Sequence, residues 1–256
     1  MKDLSIVIVS WNVKDILRDC LTSIQKAGVN LDYEVFVVDN NSQDGSADMV
    51  LSEFPVMHLM QNTHNAGCSR AVNRAIKKAS GKLILWLNPD MRLKEDTLKN
   101  LLDVADKNPQ AGVIGARLEN EEGEIVPHVR AFPTARNQFP VVSKLSKIFP
   151  STLDAYLCRD FDYTKPAHVD SIRGSFFAMP RAVIEKIGAL DERFFLWFEE
   201  VDFCKRAINA GYKVLYHPRI VAVDLVGQSF AQVGTTKKQI MFLSSMRKYF
   251  SKHGLW

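Results

Sequence analysis

Several features are missing from this chain, and each absence removes a class. No apolar run approaches the ~20 residues that a membrane-crossing helix needs, so nothing reads as a transmembrane span. The start, Met1-Lys2-Asp3, enters a strand-like segment at once, without the layout of a secretory leader. Cysteine is scarce. Cys20, Cys68, Cys158 and Cys204 are scattered, with no C-x-x-C pair and no even framework, which suits a reducing, cytoplasmic setting. Cys20, Cys68 and Cys204 fall in helical patterns and read as small core residues. Charge of one sign is also scarce: the net charge is +4, too mild to point to nucleic acid. The G-x-G-x-x-G fingerprint is absent after the first strand, which argues against a dinucleotide cofactor. His64, His128 and His217 lack metal-ligand spacing. There is no internal repeat or low-complexity tract.

What is present is a regular alternation. At 256 residues and 46% hydrophobic, the chain can bury a full core. Leu4 to Val9 is a near-continuous β-branched run, the mark of a strand covered on both faces. Leu17, Leu21 and Ile24 recur at helical spacing, and Gly28 follows as a C-cap. Strands are expected at Val35–Val38, Val56–Met60, Lys82–Leu87 and Val113–Leu118, with helices over Ala66–Ala79 and Glu95–Lys107. This β-α-β-α order predicts an α/β fold with a mostly parallel, Rossmann-like sheet flanked by helices. Periodicity fades from Gly123. Pro133, Pro140, Pro150 and Pro166 punctuate an irregular stretch from Pro127 to Pro166, read as a functional loop segment. A helix over Val201–Ala210, a strand over Lys213–Tyr216 and a basic amphipathic tail over Lys237–Lys252 follow.

Acids fall at the ends of these strands. Leu87-Asn88-Pro89-Asp90 delivers a carboxylate to the crevice where open α/β sheets hold ligands. Asp90 there suits a divalent cation carrying a phosphate, or caps the turn before Glu95-Asp96-Thr97. Asp39 closes the second strand, where it can accept hydrogen bonds from a base or ribose, or cap the turn near Ser42. Glu199, Glu200 and Asp202 follow the aromatic cluster Phe194–Phe198, and an acid there can act as a general base. Asp202 and Arg206 are spaced for an i,i+4 pair. A nucleotide joined by a diphosphate to a transferable group would unite the three sites.

Five blocks in order resemble a known family. They are Val7-Ile8-Val9-Ser10-Trp11-Asn12, Val37-Val38-Asp39-Asn40-Asn41-Ser42-Gln43-Asp44-Gly45-Ser46, Asn65-Ala66-Gly67-Cys68-Ser69-Arg70, Leu87-Asn88-Pro89-Asp90, and Gly188-Ala189-Leu190-Asp191-Glu192-Arg193-Phe194-Phe195 with Glu199-Glu200-Val201-Asp202-Phe203-Cys204-Lys205-Arg206. The chain resembles family 2 glycosyltransferases of the GT-A fold, in their rhamnosyltransferase-like branch. The resemblance implies a GT-A domain over 1–230, with a nucleotide-sugar-binding half (1–118) and an acceptor-side half (119–230), and a C-terminal amphipathic helix over 231–256. It implies that Ser10, Asn12, Asp39, Asn65, Gly67, Arg70, Asn88 and Asp90 bind the donor. Gly174, Trp197 and Asp202 would lie on the acceptor side, and Glu200, with Glu199 as its rival, would be the base.

Two positions depart from the family pattern. Glu200 stands where the family usually has Asp, and Asp224 stands where it typically has His. Asp224 is either a second metal ligand beside Asp90, favouring Mg²⁺ or Mn²⁺, or a plain loop acid. The implied reaction moves a sugar, rhamnose among the candidates, from a dTDP- or UDP-sugar to a glycan or lipid-linked acceptor, with inversion, in bacterial cell-surface polysaccharide synthesis. The basic tail suits peripheral contact with the inner face of a membrane. The alternative is a non-catalytic nucleotide-sugar-binding or assembly subunit.

Overall fold

The computed structural model describes residues 2–143, 150–225, 227 and 234–254. In chain order the elements are β1 (Leu4–Ser10), α1 (Lys14–Ala27), β2 (Tyr33–Asp39), α2 (Ser46–Glu53), β3 (His58–Gln61), α3 (Cys68–Ile76), β4 (Leu83–Leu87), β5 (Met91–Leu93), α4 (Thr97–Lys107), β6 (Ala111–Glu119), β7 (Val129–Arg130), α5 (Ala135–Val142), α6 (Asp154–Leu157), β8 (Ala167–Val169), β9 (Ser171–Ile172), β10 (Phe176–Pro180), α7 (Arg181–Ile187), α8 (Glu199–Asn209), β11 (Lys213–Asp224) and α9 (Thr235–His253).

The main sheet runs β3-β2-β1-β4-β10-β6-β11-β5, with β8 added on β11. Strands β3, β2, β1 and β4 are parallel, as their crossover helices require. Beyond β4 the sheet is mixed. β10 lies antiparallel to both β4 and β6, and β11 is parallel to β6 but antiparallel to β5 and β8. β10 follows β9 without a crossover helix, so the chirality rule for parallel units does not bind it.

Side-chain alternation splits the core between the two faces of the sheet. Leu4, Ile6, Ile8, Val35, Val37, Leu83, Leu85 and Leu87 pack on one face with Leu17, Leu21, Leu98 and Leu101 of α1 and α4. Val7, Phe36, Val38, Ile84 and Trp86 pack on the other with Val72, Phe203 and Cys204 of α3 and α8. Near-continuous apolar strands are what this double coverage demands. Cys20 and Cys204 are buried as expected, but Cys68 is only half-buried, because it opens α3 beside the cleft.

The segment from Pro127 to Pro166 is less irregular than its sequence suggests. It holds β7, α5 and α6, pinned by Tyr163, whose hydroxyl accepts from the His128 and Val129 N–H groups at 2.8 and 2.9 Å. Strand β11 runs twelve residues, far beyond the Lys213–Tyr216 stretch legible in the sequence, with a register shift between His217 and Val221 beside Pro218. No helix among the described residues is long and apolar enough to cross a membrane. Helix α9 buries Ser245, Tyr249 and Phe250 against Phe194 and Phe198, so part of its apolar face belongs to the protein core. Residues 231–233, 255 and 256 of the expected C-terminal helix lie outside the described residues.

Candidate active site

The carboxyl ends of β1, β2 and β4 open onto one end of a cleft. Ser10 closes β1 fully buried, and its hydroxyl has no partner among the described residues. Asn12 takes a left-handed conformation (φ 52°), which short polar side chains tolerate. Its N–H donates to Ser42 Oγ at 2.9 Å, and its Oδ1 accepts from the Gln43 N–H at 2.6 Å. Asp39 makes the turn cap that its position allows. Oδ2 accepts from the Ser42 N–H at 3.0 Å, capping the turn, while the buried Oδ1 keeps no partner among the described residues.

Asn40 knits the next layer. Its Nδ2 donates to the Gly67 carbonyl at 3.3 Å and its Oδ1 accepts from Asn62 at 2.6 Å. Asn65 Oδ1 accepts from the Gly67 N–H at 3.0 Å. Gly67 has φ 83°, and a Cβ there would lie 2.7 Å from both the Phe195 ring and the Phe195 carbonyl. The Cys68 N–H donates to that carbonyl at 2.7 Å, tying the start of α3 to the loop before α8. Ser10, Asn40, Asn65, Gly67 and Asn88 line a cavity of about 60 Å³ here.

Cys68, Asn88 and Leu196 also line a second cavity, of about 310 Å³, so the two adjoin. The second is walled by Trp86, Asp90, Arg173, Gly174, Trp197, Glu199, Glu200, Asp224 and Lys238. Gly174 is there because nothing larger fits: a Cβ would stand 2.6 Å from the Trp86 ring. Pairing of β5 with β11 sets Asp224 opposite Met91, next to Asp90, and the Leu225 N–H donates to the Asp90 carbonyl at 3.0 Å. Both acids are buried. Arg173 forms an ion pair with Asp224, and its Nε donates to Ser175 Oγ at 3.3 Å.

Glu199 and Glu200 occupy the first turn of α8. The chain enters that turn through two left-handed aromatic residues, Trp197 (φ 65°) and Phe198 (φ 71°). Conformations of this kind cost on the order of 1–3 kcal/mol each and persist only where the surroundings over-determine them. Helix α9 does so. Ser245 Oγ donates to the Leu196 carbonyl at 2.8 Å, and the Phe198 ring packs 5.3 Å from Phe242 and 5.5 Å from Tyr249. Burial pushes both glutamates above the ordinary carboxylate range. The nearby Glu200 charge adds to the effect on Glu199, while backbone N–H groups oppose it in both and Arg173 opposes it in Glu200. Glu200 is partly open to the cavity and Glu199 is buried.

Two expected site residues lie elsewhere. Asp202 lines neither cavity. It is fully buried on the far face of α8, bonded to Arg206 (2.9 Å), Lys252 (2.7 Å) and His253 (2.9 Å). The i,i+4 pair with Arg206 is present, inside a cluster that α9 completes. Arg70 projects to solvent, 4.0 Å from Glu192, and lines neither cavity. Arg173, Lys238 and Trp86 escaped the sequence reading, although Arg173 stands next to the singled-out Gly174. His128 is buried among Tyr163 and Tyr216, and burial holds its imidazole down at about 4.

Among the described residues no cluster of three or more His, Cys, Asp or Glu side chains could hold a metal ion. Asp90, in the turn before β5, and Asp224, at the end of β11, supply two carboxylates. Such hard oxygen donors fit Mg²⁺ or Mn²⁺, whose remaining positions are normally filled by water and substrate phosphate.

The profile described as "Glycosyl transferase family 2" matches residues 5–188. The chain is 25% identical over 240 residues to the N-acetylglucosaminyl-diphospho-decaprenol L-rhamnosyltransferase of Mycobacterium tuberculosis, covering 84% of this chain and 73% of that protein. It is 28% identical over 219 residues to the low-salt glycan biosynthesis hexosyltransferase Agl10 of Haloferax volcanii, covering 82% and 64%. In fold it is similar to the mannosyltransferase PcManGT of Pyrobaculum calidifontis in complex with GDP-Man and Mn²⁺. The TM-score is 0.64 at 18% identity, over 98% of this chain and 64% of that one.

Proposed function

The chain belongs to glycosyl transferase family 2, and from that premise we propose that this glycosyltransferase moves a sugar from a nucleoside diphosphate donor to a hydroxyl, with inversion. The observation that carries the reading is that Glu200 and Asp90 line one cavity, which shares the walls Cys68, Asn88 and Leu196 with the cavity lined by Ser10, Asn40 and Asn65. The donor base and ribose go to the strand ends, with Ser10, Asn12 and Asp39 close by and Asn65 and Gly67 bordering the diphosphate. The acceptor goes to the Gly174 and Trp197 side. Glu200 is the base, because it is the more exposed of the two glutamates that wall the cavity. Its carboxylate takes the proton of the acceptor hydroxyl as that oxygen attacks the anomeric carbon. The bond from that carbon to the diphosphate breaks, and the diphosphate leaves with the electron pair. Asp90 and Asp224 would hold a divalent cation, which when bound offsets the charge developing on the leaving diphosphate. Holding both substrates in line supplies much of the remaining acceleration.

The name of the mycobacterial relative supports rhamnose as the sugar and a lipid-linked diphosphate glycan as the acceptor, in cell-surface polysaccharide synthesis. A dTDP-sugar is the first donor to try and a UDP-sugar the second. A cytoplasmic enzyme resting on the inner face of the membrane fits the exposed Ile240 and the neighbouring Lys237 and Lys238 on α9. Calorimetric titration with dTDP and UDP, with and without Mn²⁺, tests the donor. Metal-dependent binding of one diphosphate is expected. Binding of a diphosphate by a protein that transfers no sugar from any dTDP- or UDP-sugar would favour the non-catalytic subunit instead.

A further inference from the structure

We propose that Arg173 is a resident counter-cation for Asp224 that a divalent ion must displace, so that the ion and the donor diphosphate load together. This rests on the donor reading above and goes beyond it by naming the residue that links the two ligands.

Asp224 is only 2% exposed, and a carboxylate at that depth needs an opposite charge. Arg173 supplies it, and the pair forms one wall of the cavity shared with Asp90, Glu199 and Glu200. The β5–β11 register puts Asp224 beside Asp90. The two acids that suit a hard cation are therefore neighbours, and one of them already carries a guanidinium. An ion arriving alone has to pull that guanidinium off a buried carboxylate and leave it only Ser175 and the field of Glu200. Much of the gain from binding the ion is lost in that exchange.

A diphosphate changes the balance. Arginine presents five N–H donors in a planar fork that fits phosphate oxygens as well as it fits a carboxylate. The Arg173 side chain is 36% exposed and already faces the cavity. Released from Asp224, it has a new anion within the same cavity. The ion takes Asp224 while Arg173 takes phosphate, and no buried charge is left alone. No covalent bond changes and no proton moves. Linkage then requires that the ion raise diphosphate affinity by the same factor as the diphosphate raises ion affinity.

The test is calorimetric titration of the full chain with Mn²⁺ alone, with dTDP or UDP alone, and with each in the presence of the other. In the wild type, Mn²⁺ affinity should rise ~10-fold or more once the diphosphate is bound, within the ordinary range of coupling between sites. Arg173→Met should bind Mn²⁺ alone ~10-fold more tightly than wild type and lose most of the coupling. Arg173→Lys keeps the charge but loses the fork. It should bind Mn²⁺ alone like wild type and still show weakened coupling, so it carries the test should the methionine variant fold poorly. Mn²⁺ binding by Arg173→Met no tighter than wild type, or full coupling in Arg173→Lys, overturns the proposal. Asp224→Asn in the Arg173→Met background should abolish the gain. If the gain survives there, the ion does not use Asp224 and the exchange is wrong, while the donor reading stands. A wild type that binds neither diphosphate, with or without Mn²⁺, brings down the donor reading and this one with it.

Discussion

At the strand-end side of the cleft, Asn40, Asn62, Asn65 and Gly67 are tied by neutral hydrogen bonds between 2.6 and 3.3 Å. At the other side, four carboxylates and two cations crowd one cavity, two of the carboxylates on a helix entered through two left-handed aromatic residues. The first region is largely set before any ligand arrives, since its amides satisfy each other around fixed strand ends, while Ser10 Oγ and Asp39 Oδ1 keep no partner among the described residues. The second stores charge and backbone strain, and depends on packing from α9 to stay in place. Binding and chemistry are thus held by different forces, and substitutions should separate them. A change at Glu200 should move turnover, changes on the neutral side should move affinity, and changes at Asp224 or Arg173, which act through the cation, should move affinity as well.

The sharpest separation is Glu200→Gln, which keeps shape and removes the base. Turnover should fall roughly 10²–10⁴-fold, while dTDP or UDP affinity stays as in wild type. Single-turnover transfer and calorimetry on the same preparation check this. An equal loss in both would mean that Glu200 helps to hold the donor, and the comparison would break.

Asp202→Asn probes the strain-bearing side from behind. The change leaves Arg206, Lys252 and His253 without the carboxylate that joins α8 to α9. Removing one partner from a buried ionic cluster costs about 3–5 kcal/mol, read as a shift of the urea unfolding midpoint. Turnover should fall at temperatures where the protein is still folded, because α9 also supports the turn at Trp197 and Phe198. Gly67→Ala works on the opposite wall. The left-handed backbone and the Phe195 contact should cost roughly 1–3 kcal/mol, appearing mainly as weaker diphosphate binding.

How much of this was legible in the sequence follows from the range of each interaction. The parallel block and Asp90 could be read because continuous apolar runs and a Pro-stiffened turn are local signals. The Gly188–Arg206 motifs were visible for the same reason. Asp202 was misassigned because its neighbour Arg206 is local, whereas Lys252 stands 50 residues away on α9. Arg173 was missed because its partner Asp224 lies 51 residues away and comes within reach only through sheet pairing. Cys68 sits in a helical pattern, and only the docking of Phe195 shows that its turn borders the cleft. Local pattern located the binding wall. Tertiary charge pairing, which no window of sequence contains, built much of the acid side.

A finer probe of that charge is pH. Burial holds both glutamates above the ordinary value of 4.5. A general base works only when ionised, so transfer should be lost as pH falls through this raised value, well above where an exposed glutamate titrates. Glu199 is pushed up to about 8 and Glu200 to about 7, so Glu199 is still protonated where Glu200 ionises, and Glu199→Gln should leave the acid limb of the kcat/KM profile nearly in place.

The smallest effect is expected at Arg70, and it tests whether the strand-end wall is neutral. The family resemblance sets Arg70 beside the donor, yet the side chain is 60% exposed and meets only Glu192, at 4.0 Å. Exposed pairs at that distance contribute ~0–1 kcal/mol. Arg70→Ala should therefore shift stability by less than about 0.5 kcal/mol, and diphosphate affinity by no more than ~2-fold, at low and high salt alike. A ~10-fold loss that shrinks as salt is raised would mean that Arg70 swings onto the diphosphate when the donor binds. The strand-end wall would then carry a mobile cation of its own. The division between a neutral binding side and a charged catalytic side would hold for the empty cleft and dissolve in the loaded one.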